Sequence, residues 1–324
     1  MASFFQTVPG ALILLVVGFV FLIKGADFFV EGASAVAKKL HVPALVIGMT
    51  IVAMGTSLPE LSVSVTASLA GSNQLAIGNV VGSNIFNLMV VLGSCALFSV
   101  LEVSDATIKK DLPFSIACTV ALMVMGIMGN SVGHIDGAIL LVLFVIFLGS
   151  MLHAAMKHRN GEGASEEVIV DIPTWLCIVY IIGGAVAIKF GGDWVVDSCT
   201  TLALKFGMSE TLVGLTIVAL GTSLPELVTS IVAARKNELD MAIGNVVGSN
   251  VFNVLLILGT AGAISPMSFL TVNAIDTLIL VAFSVIVGLM CLRRKNLNKA
   301  NGVIMLLLYV AYLAYIIIRD GGVA

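Results

Sequence analysis

The residues best suited to chemistry in this chain are two glutamates, Glu60 and Glu226, each closing a nearly identical segment. Gly48-Met-Thr-Ile-Val-Ala-Met-Gly-Thr-Ser-Leu-Pro-Glu60 returns as Gly214-Leu-Thr-Ile-Val-Ala-Leu-Gly-Thr-Ser-Leu-Pro-Glu226, 166 residues later. The same offset relates Gly78-Asn-Val-Val-Gly-Ser-Asn-Ile-Phe-Asn87 to Gly244-Asn-Val-Val-Gly-Ser-Asn-Val-Phe-Asn253. A carboxylate alone in hydrocarbon is costly, so a matched pair argues for a bound cation, a shared proton, or both. The neighbouring donors are all oxygen: the hydroxyls of Thr56, Ser57, Thr222 and Ser223, and the carboxamides of Asn87 and Asn253. Calcium takes six to eight such oxygens in flexible arrangements, whereas magnesium demands stricter octahedral geometry and keeps its water. No cluster of His or Cys in the sequence points to zinc or copper.

The segments that must position these groups are membrane spans. Hydrophobic residues make up 59% of the 324 and charged residues only 11%, with a mean hydropathy of +1.12, far from an ordinary soluble domain. About ten apolar runs approach the ~20 residues needed to cross a bilayer. They lie near Pro9–Phe29, Val42–Leu69, Ala76–Val100, Leu112–Met128, Ile135–Leu152, Ile172–Val196, Thr211–Ala234, Ala242–Ala263, Asn273–Leu292 and Gly302–Ile318. The first lacks a basic start and a small-residue cleavage site, so it reads as a retained helix. The five cysteines are well separated in or beside apolar runs and read as small buried hydrophobes.

Pro59 cannot donate a backbone hydrogen bond and crowds the carbonyl four residues earlier; with Gly55 it predicts a break in the second span, and Pro225 with Gly221 a break in the seventh. Backbone unwound at that depth must be buried or line a wet cavity, which makes the carbonyls of Ala53 and Ala219, just before the breaks, candidate ligands. Ser83 and Asn87, and equally Ser249 and Asn253, are four apart and share a helix face. The bland alternative for these polar groups is hydrogen-bonded glue between helices.

Twelve of the sixteen basic residues fall on alternate connections: Lys38, Lys39, Lys109, Lys110, Lys157, Arg159, Arg235, Lys236, Arg293, Arg294, Lys295 and Lys299. The opposite side has Lys205 and Arg319. The positive-inside rule then puts the former loops in the cytoplasm and both termini outside. Five spans per repeat is an odd number, so the second repeat enters from the opposite face. The expected fold is an all-α membrane protein of ten transmembrane helices in two inverted five-helix repeats, 1–152 and 172–324, joined by a cytoplasmic linker at 153–171. In such a plan the second and seventh spans face each other near the bilayer midplane.

In the GTSLPE and GN-x-x-GSN-x-x-N motifs of both halves the chain resembles the cation/calcium exchanger superfamily, and within it the sodium/calcium exchanger type of prokaryotes. The resemblance implies an antiporter working by alternating access, with sodium and calcium as transported ligands and no other cofactor. It assigns Glu60 and Glu226 to both ions and Thr56 and Thr222 to calcium or sodium. Asn87 and Asn253 take the central position, and Ser57, Ser83, Ser223 and Ser249 join the Ala53 and Ala219 carbonyls in flanking sodium sites. Relatives that carry Asp where Asn253 stands include potassium-dependent ones, so Asn weighs against potassium dependence. The motif also differs from that of proton-coupled relatives, and the 153–171 loop is too short for a calcium-sensor domain. The expected location is the inner, plasma membrane of the cell, with lipid as surroundings and nothing pointing to nucleic acid or an obligate protein partner.

The rival readings are a proton-coupled cation antiporter, a membrane-embedded hydrolase with paired acids and a passive channel. The hydrolase lacks any accompanying zinc motif or serine–histidine arrangement. Asp27 and Asp193 also differ by 166; Lys24 and Lys189 stand three and four residues before them, which predicts local ion pairs. The four histidines lie near predicted ends and loops.

Overall fold

The computed structural model describes residues 6–71, 73–159, 172–208 and 219–321. Helix α1 (Val8–Leu40) starts where Thr7 Oγ1 accepts the Gly10 N–H at 3.3 Å, with Pro9 in its first turn, where no donor is lost. It runs well past the expected end at Phe29, because its last turns bury small residues and place Lys38 and Lys39 at the favourable C-terminal end. His41, at φ 54°, closes it. The second apolar run splits into α2 (Ala44–Thr56) and α3 (Leu58–Leu69), bent by 50° at Ser57, just ahead of Pro59. Inside α2 the turn Gly48–Val52 is π-helical.

Helix α4 combines Asn73–Phe86, a π-helical turn at Asn87–Val91 and Leu92–Phe98. Helix α5 (Thr107–Gly129) and helix α6 (His134–Arg159) follow. The linker expected to begin at His153 is therefore helical as far as Arg159, and 160–171 lie outside the described residues. The second half comprises α7 (Thr174–Lys205), the short α8 (Ala219–Gly221), α9 (Leu224–Arg235), and α10, which joins Leu239–Phe252, a π turn at Asn253–Leu258 and Gly259–Ile264. Helices α11 (Thr271–Arg294) and α12 (Lys299–Gly321) complete it. Two-residue antiparallel pairs tie loops of one half to the other: β1 (Leu101–Glu102) with β4 (Asn296–Leu297), and β2 (Ser131–Val132) with β3 (Met267–Ser268). Among the described residues eight helices are long and apolar enough to cross a membrane, and the bent α2–α3 pair makes a ninth. The seventh apolar run begins within 209–218, outside the described residues.

Burial separates the layers. The apolar window of α10 is 94% buried and that of α4 78%, while the other long helices bury between 17% and 33% and turn Leu, Ile, Val and Phe outward. Outward apolar side chains suit lipid, and the two central helices, walled in by the rest, carry Asn and Ser instead. Close approach at the centre depends on glycine: a Cβ on Gly248 would lie 2.6 Å from Met49 Cα and 2.7 Å from its carbonyl oxygen. Helix α1 packs along α7 in the same manner, a Cβ on Gly25 meeting Ala187 Cβ at 2.8 Å. Four of the cysteines (Cys95, Cys118, Cys177 and Cys291) are buried and all five are free thiols.

The two predicted local ion pairs fare differently. Lys189 and Asp193 pair at 2.6 Å along α7. Asp27 instead pairs with Lys236 at 2.7 Å, and Lys236 also reaches the Asp27 carbonyl oxygen at 2.9 Å and Glu31 at 3.4 Å. The end of α9 brings its lysine against the α1 face that carries both acids, a tertiary approach that spacing along α1 does not encode. Beside it Glu238 accepts from Ser34 Oγ and pairs with Lys38 at 3.4 Å.

Gly248→Ala places its methyl against backbone that cannot move aside, and we expect it to lower stability by about 1–3 kcal/mol. Thermal unfolding in detergent measures this; an unchanged midpoint would contradict so close a crossing.

Candidate ion-binding site

The break after Thr56 puts Glu60 in the first turn of α3, and the turn Thr222–Ser223 puts Glu226 in the first turn of α9. Each carboxylate thus stands at the positive end of a fresh helix, next to a proline that needs no hydrogen-bond partner. Both are completely buried, and neither is ion-paired with Lys or Arg among the described residues.

Their partners come from the opposite half. Ser57 Oγ donates to Glu226 Oε1 at 3.0 Å, and Ser223 Oγ donates to Glu60 Oε1 at 3.2 Å. Ser223 Oγ also lies 3.1 Å from Ser83 Oγ. The second and seventh apolar runs therefore face each other. The reciprocity continues outward: Thr56 Oγ1 donates to Asn245 Oδ1 at 3.1 Å, and Thr222 Oγ1 to Asn79 Oδ1 at 3.5 Å. Asn245 and Asn79 in turn donate to Ser230 Oγ at 2.9 Å and Ser64 Oγ at 3.0 Å. Apart from the Ser223–Ser83 contact, each of these bonds has its counterpart at an offset of 166.

Five buried oxygens at this centre have no hydrogen-bond partner among the described residues: Glu60 Oε2, Glu226 Oε2, Asn87 Oδ1, Asn253 Oδ1 and Ser249 Oγ. An unpartnered buried acceptor is expensive; the two amide oxygens can only accept, and the two carboxyl oxygens do so when ionised. Such a set can hold a hard cation, and two ionised carboxylates balance one divalent ion or two monovalent ones.

Of the candidates named from the sequence, hydrogen bonds join Glu60, Glu226, Ser57, Ser223 and Ser83, and the turns that begin at Asn87 and Asn253 pack against α9 and α3; the two alanine carbonyls are less free than expected. The Ala53 carbonyl is not freed by the break: it accepts the Ser57 N–H at 3.0 Å and lies 3.3 Å from Thr56 Oγ1. The bond that Pro59 cannot make is the one to the Gly55 carbonyl, so Ala53 offers only its remaining lone pair. At the second break the Ser223 N–H turns to the Leu220 carbonyl at 3.2 Å; Ala219 opens α8, at the edge of the described residues. Sequence reasoning missed Asn79, Asn245, Asn84 and Asn250, all inside the repeated motif and all hydrogen-bonded in or across this centre. Their recurrence at a fixed offset inside the repeated motif was the available signal.

Comparison with known proteins agrees in both sequence and shape. The family model described as sodium/calcium exchanger protein matches residues 10–152 and again 176–318. The inner membrane protein YrbG of Escherichia coli is 35% identical over 318 residues, covering 93% of this chain and 95% of its own. The sodium/calcium exchanger MaX1 of Methanosarcina acetivorans is 31% identical over 338 residues, covering 93% and 97%. The sodium-calcium exchanger NCX_Mj, in a crystal soaked with 10 mM Na+ and no Ca2+, superposes with a TM-score of 0.84 at 30% identity, covering 95% of this chain and 99% of that one.

If the unpartnered oxygens hold calcium, the ion stabilises the folded protein by about 2.7 kcal/mol at 100 times its dissociation constant. We expect calcium to raise the unfolding midpoint of the wild-type protein and to leave that of the Glu60→Gln, Glu226→Gln double variant unmoved. Equal shifts in the two proteins would remove the glutamates from the site.

Proposed function

The chain belongs to the sodium/calcium exchanger family, a family of integral membrane transporters and not of enzymes, and from that premise we propose that it is a secondary active antiporter that moves sodium one way and calcium the other through one central site. The observation that carries this reading is the set of unpartnered oxygens of Glu60, Glu226, Asn87 and Asn253, contributed equally by the two halves and closed off from lipid. Thr56, Thr222, Ser57, Ser223, Ser83 and Ser249 and the Ala53 and Ala219 carbonyls complete the ligand set. Calcium and sodium compete for these oxygens, so only one kind of cargo is held at a time. A site left with two ionised, unbalanced carboxylates is costly to carry across a dehydrated barrier, and that cost couples the two fluxes.

In this reading the chain has ten spans in two inverted five-helix halves, 1–152 and 172–324 about the 153–171 linker. Both termini lie outside the cytoplasm of a cell whose inner, plasma membrane holds the protein, and alternating access exchanges the roles of the halves around the fixed centre. The reciprocal Ser57–Glu226 and Ser223–Glu60 bonds support the two-fold relation. The basic residues that cluster on alternate loops support the orientation.

Buried carboxylates with no basic partner among the described residues also suit proton exchange, the second reading. Calcium flux in proteoliposomes under separate sodium, potassium and pH gradients decides between them. We expect a sodium gradient to drive calcium uptake and a potassium gradient not to. Glu60→Gln and Glu226→Gln each reduce the flux about 100-fold or more. Uptake driven by a pH gradient in the absence of sodium selects the proton-coupled reading, and sodium-driven flux untouched by both substitutions refutes a transport site built on the two glutamates.

A further inference from the structure

An asparagine is a useful cation ligand at one end only. Its Oδ1 attracts a positive ion and its Nδ2 repels one, yet the two ends have nearly the same shape. Asn87 and Asn253 must therefore be told which way to face. The information lies in a second pair, Asn84 and Asn250, which no candidate ligand set includes. Asn84 Nδ2 donates to the Asn250 backbone carbonyl at 3.1 Å, and Asn250 Nδ2 donates to the Asn84 backbone carbonyl at 3.3 Å. A backbone carbonyl can only accept, so both carboxamides are locked with nitrogen toward the crossing of α4 and α10 and oxygen away from it. Asn84 Oδ1 then accepts from Asn253 Nδ2 at 3.0 Å, and Asn250 Oδ1 accepts from Asn87 Nδ2 at 3.2 Å. With their nitrogens committed, Asn87 and Asn253 have only Oδ1 left to present, and those two atoms are the buried, unpartnered ones. Turning either amide over would set oxygen against oxygen and nitrogen toward the ion. All four side chains are at most 3% exposed, so water cannot repair a reversed amide.

We propose that Asn84 and Asn250 are positioning residues, each orienting from the opposite half the carboxamide of Asn253 or Asn87 so that oxygen faces the transported cation. The polarity of the site is set by a chain of four donors that begins at two backbone carbonyls. Because each orienting residue belongs to the other half, a movement that separates α4 from α10 at this crossing releases both ligand amides together. The inference rests on the antiport reading for the identity of the ion.

A carboxylate has oxygen at both ends and needs no orientation, which supplies the test. Calcium dependence of flux in proteoliposomes, and of the unfolding midpoint in detergent, is measured for Asn250→Leu in the wild-type background and in an Asn87→Asp background. The mirrored pair, Asn84→Leu with and without Asn253→Asp, is measured alongside in case one variant folds poorly. We expect Asn250→Leu to raise the half-saturating calcium concentration about tenfold when residue 87 is Asn. When residue 87 is Asp the same change raises it by less than about twofold, because either end of that side chain can ligate. A loss of the same size in both backgrounds marks a merely structural role, and no loss in the asparagine background removes the orienting role; either result overturns the proposal. Wild-type protein that shows no calcium dependence in flux or in midpoint overturns the antiport reading and this inference with it.

Discussion

Two carboxylates buried at the centre of a membrane protein with no basic partner among the described residues are stabilised when something positive joins them, and the rest of this fold is arranged about that constraint. The breaks at Ser57 and Ser223 exist so that Glu60 and Glu226 can begin new helices with hydroxyls across from them. The two helices richest in asparagine are also the most deeply buried, because amide and hydroxyl oxygens are tolerated only where other protein surrounds them. The outer helices shield this centre with apolar side chains and contribute little else to its chemistry. Hydrogen bonds satisfy one oxygen of each glutamate and leave the other without a partner among the described residues, which is the feature the proposed ion site rests on.

Reciprocity across the halves has an energetic meaning. Neither half contains a finished site: Ser57 serves Glu226, Ser223 serves Glu60, and the asparagine nitrogens of one half are held by the other. A single half could not bury its glutamate without leaving polar atoms unsatisfied. Duplication therefore does more than double the ligands. It makes assembly of the two halves and assembly of the site the same event, which is why glycine is required where α10 crosses α2 at Gly248.

Much of this was legible in the sequence, for identifiable reasons. Proline at positions 59 and 225 acts on its own chain through local sterics, so the breaks could be placed to within a residue or two. The glutamates stood out because charge is rare in so apolar a chain. What the sequence did not reveal were contacts between segments distant in the chain. Asp27 lay three residues from Lys24, but its partner is Lys236, brought by the packing of α9 against α1. Ala53 was expected to offer a freed carbonyl, whereas the turn at Ser57 recaptured it. Asn84 and Asn250 sit in the same repeated motif as Asn87 and Asn253; a linear pattern shows that these asparagines recur but not which of them bond across the crossing. The π-helical turns beginning at Asn87 and Asn253 were equally hidden, since their extra residue per turn has no sequence signature.

The symmetry of the centre does not extend to the periphery. On one end of the molecule Lys236 is held by Asp27 and Glu31, and Glu238 by Ser34 and Lys38, so α1 is fastened to the connection between α9 and α10. The positions 166 residues away from Lys236 and Lys38 are Ala70 and Leu204, which cannot form such pairs, and Asp193 is engaged within its own helix instead. If the two halves were interchangeable everywhere, any two conformations related by exchanging them would have equal energy by symmetry. The described contacts that fasten α1 at this end have no counterpart at those two positions and so lift that equality, and because they are partly exposed their weight is modest and falls as salt rises. The polar centre thus keeps its two-fold pairing while the charged frame around it does not.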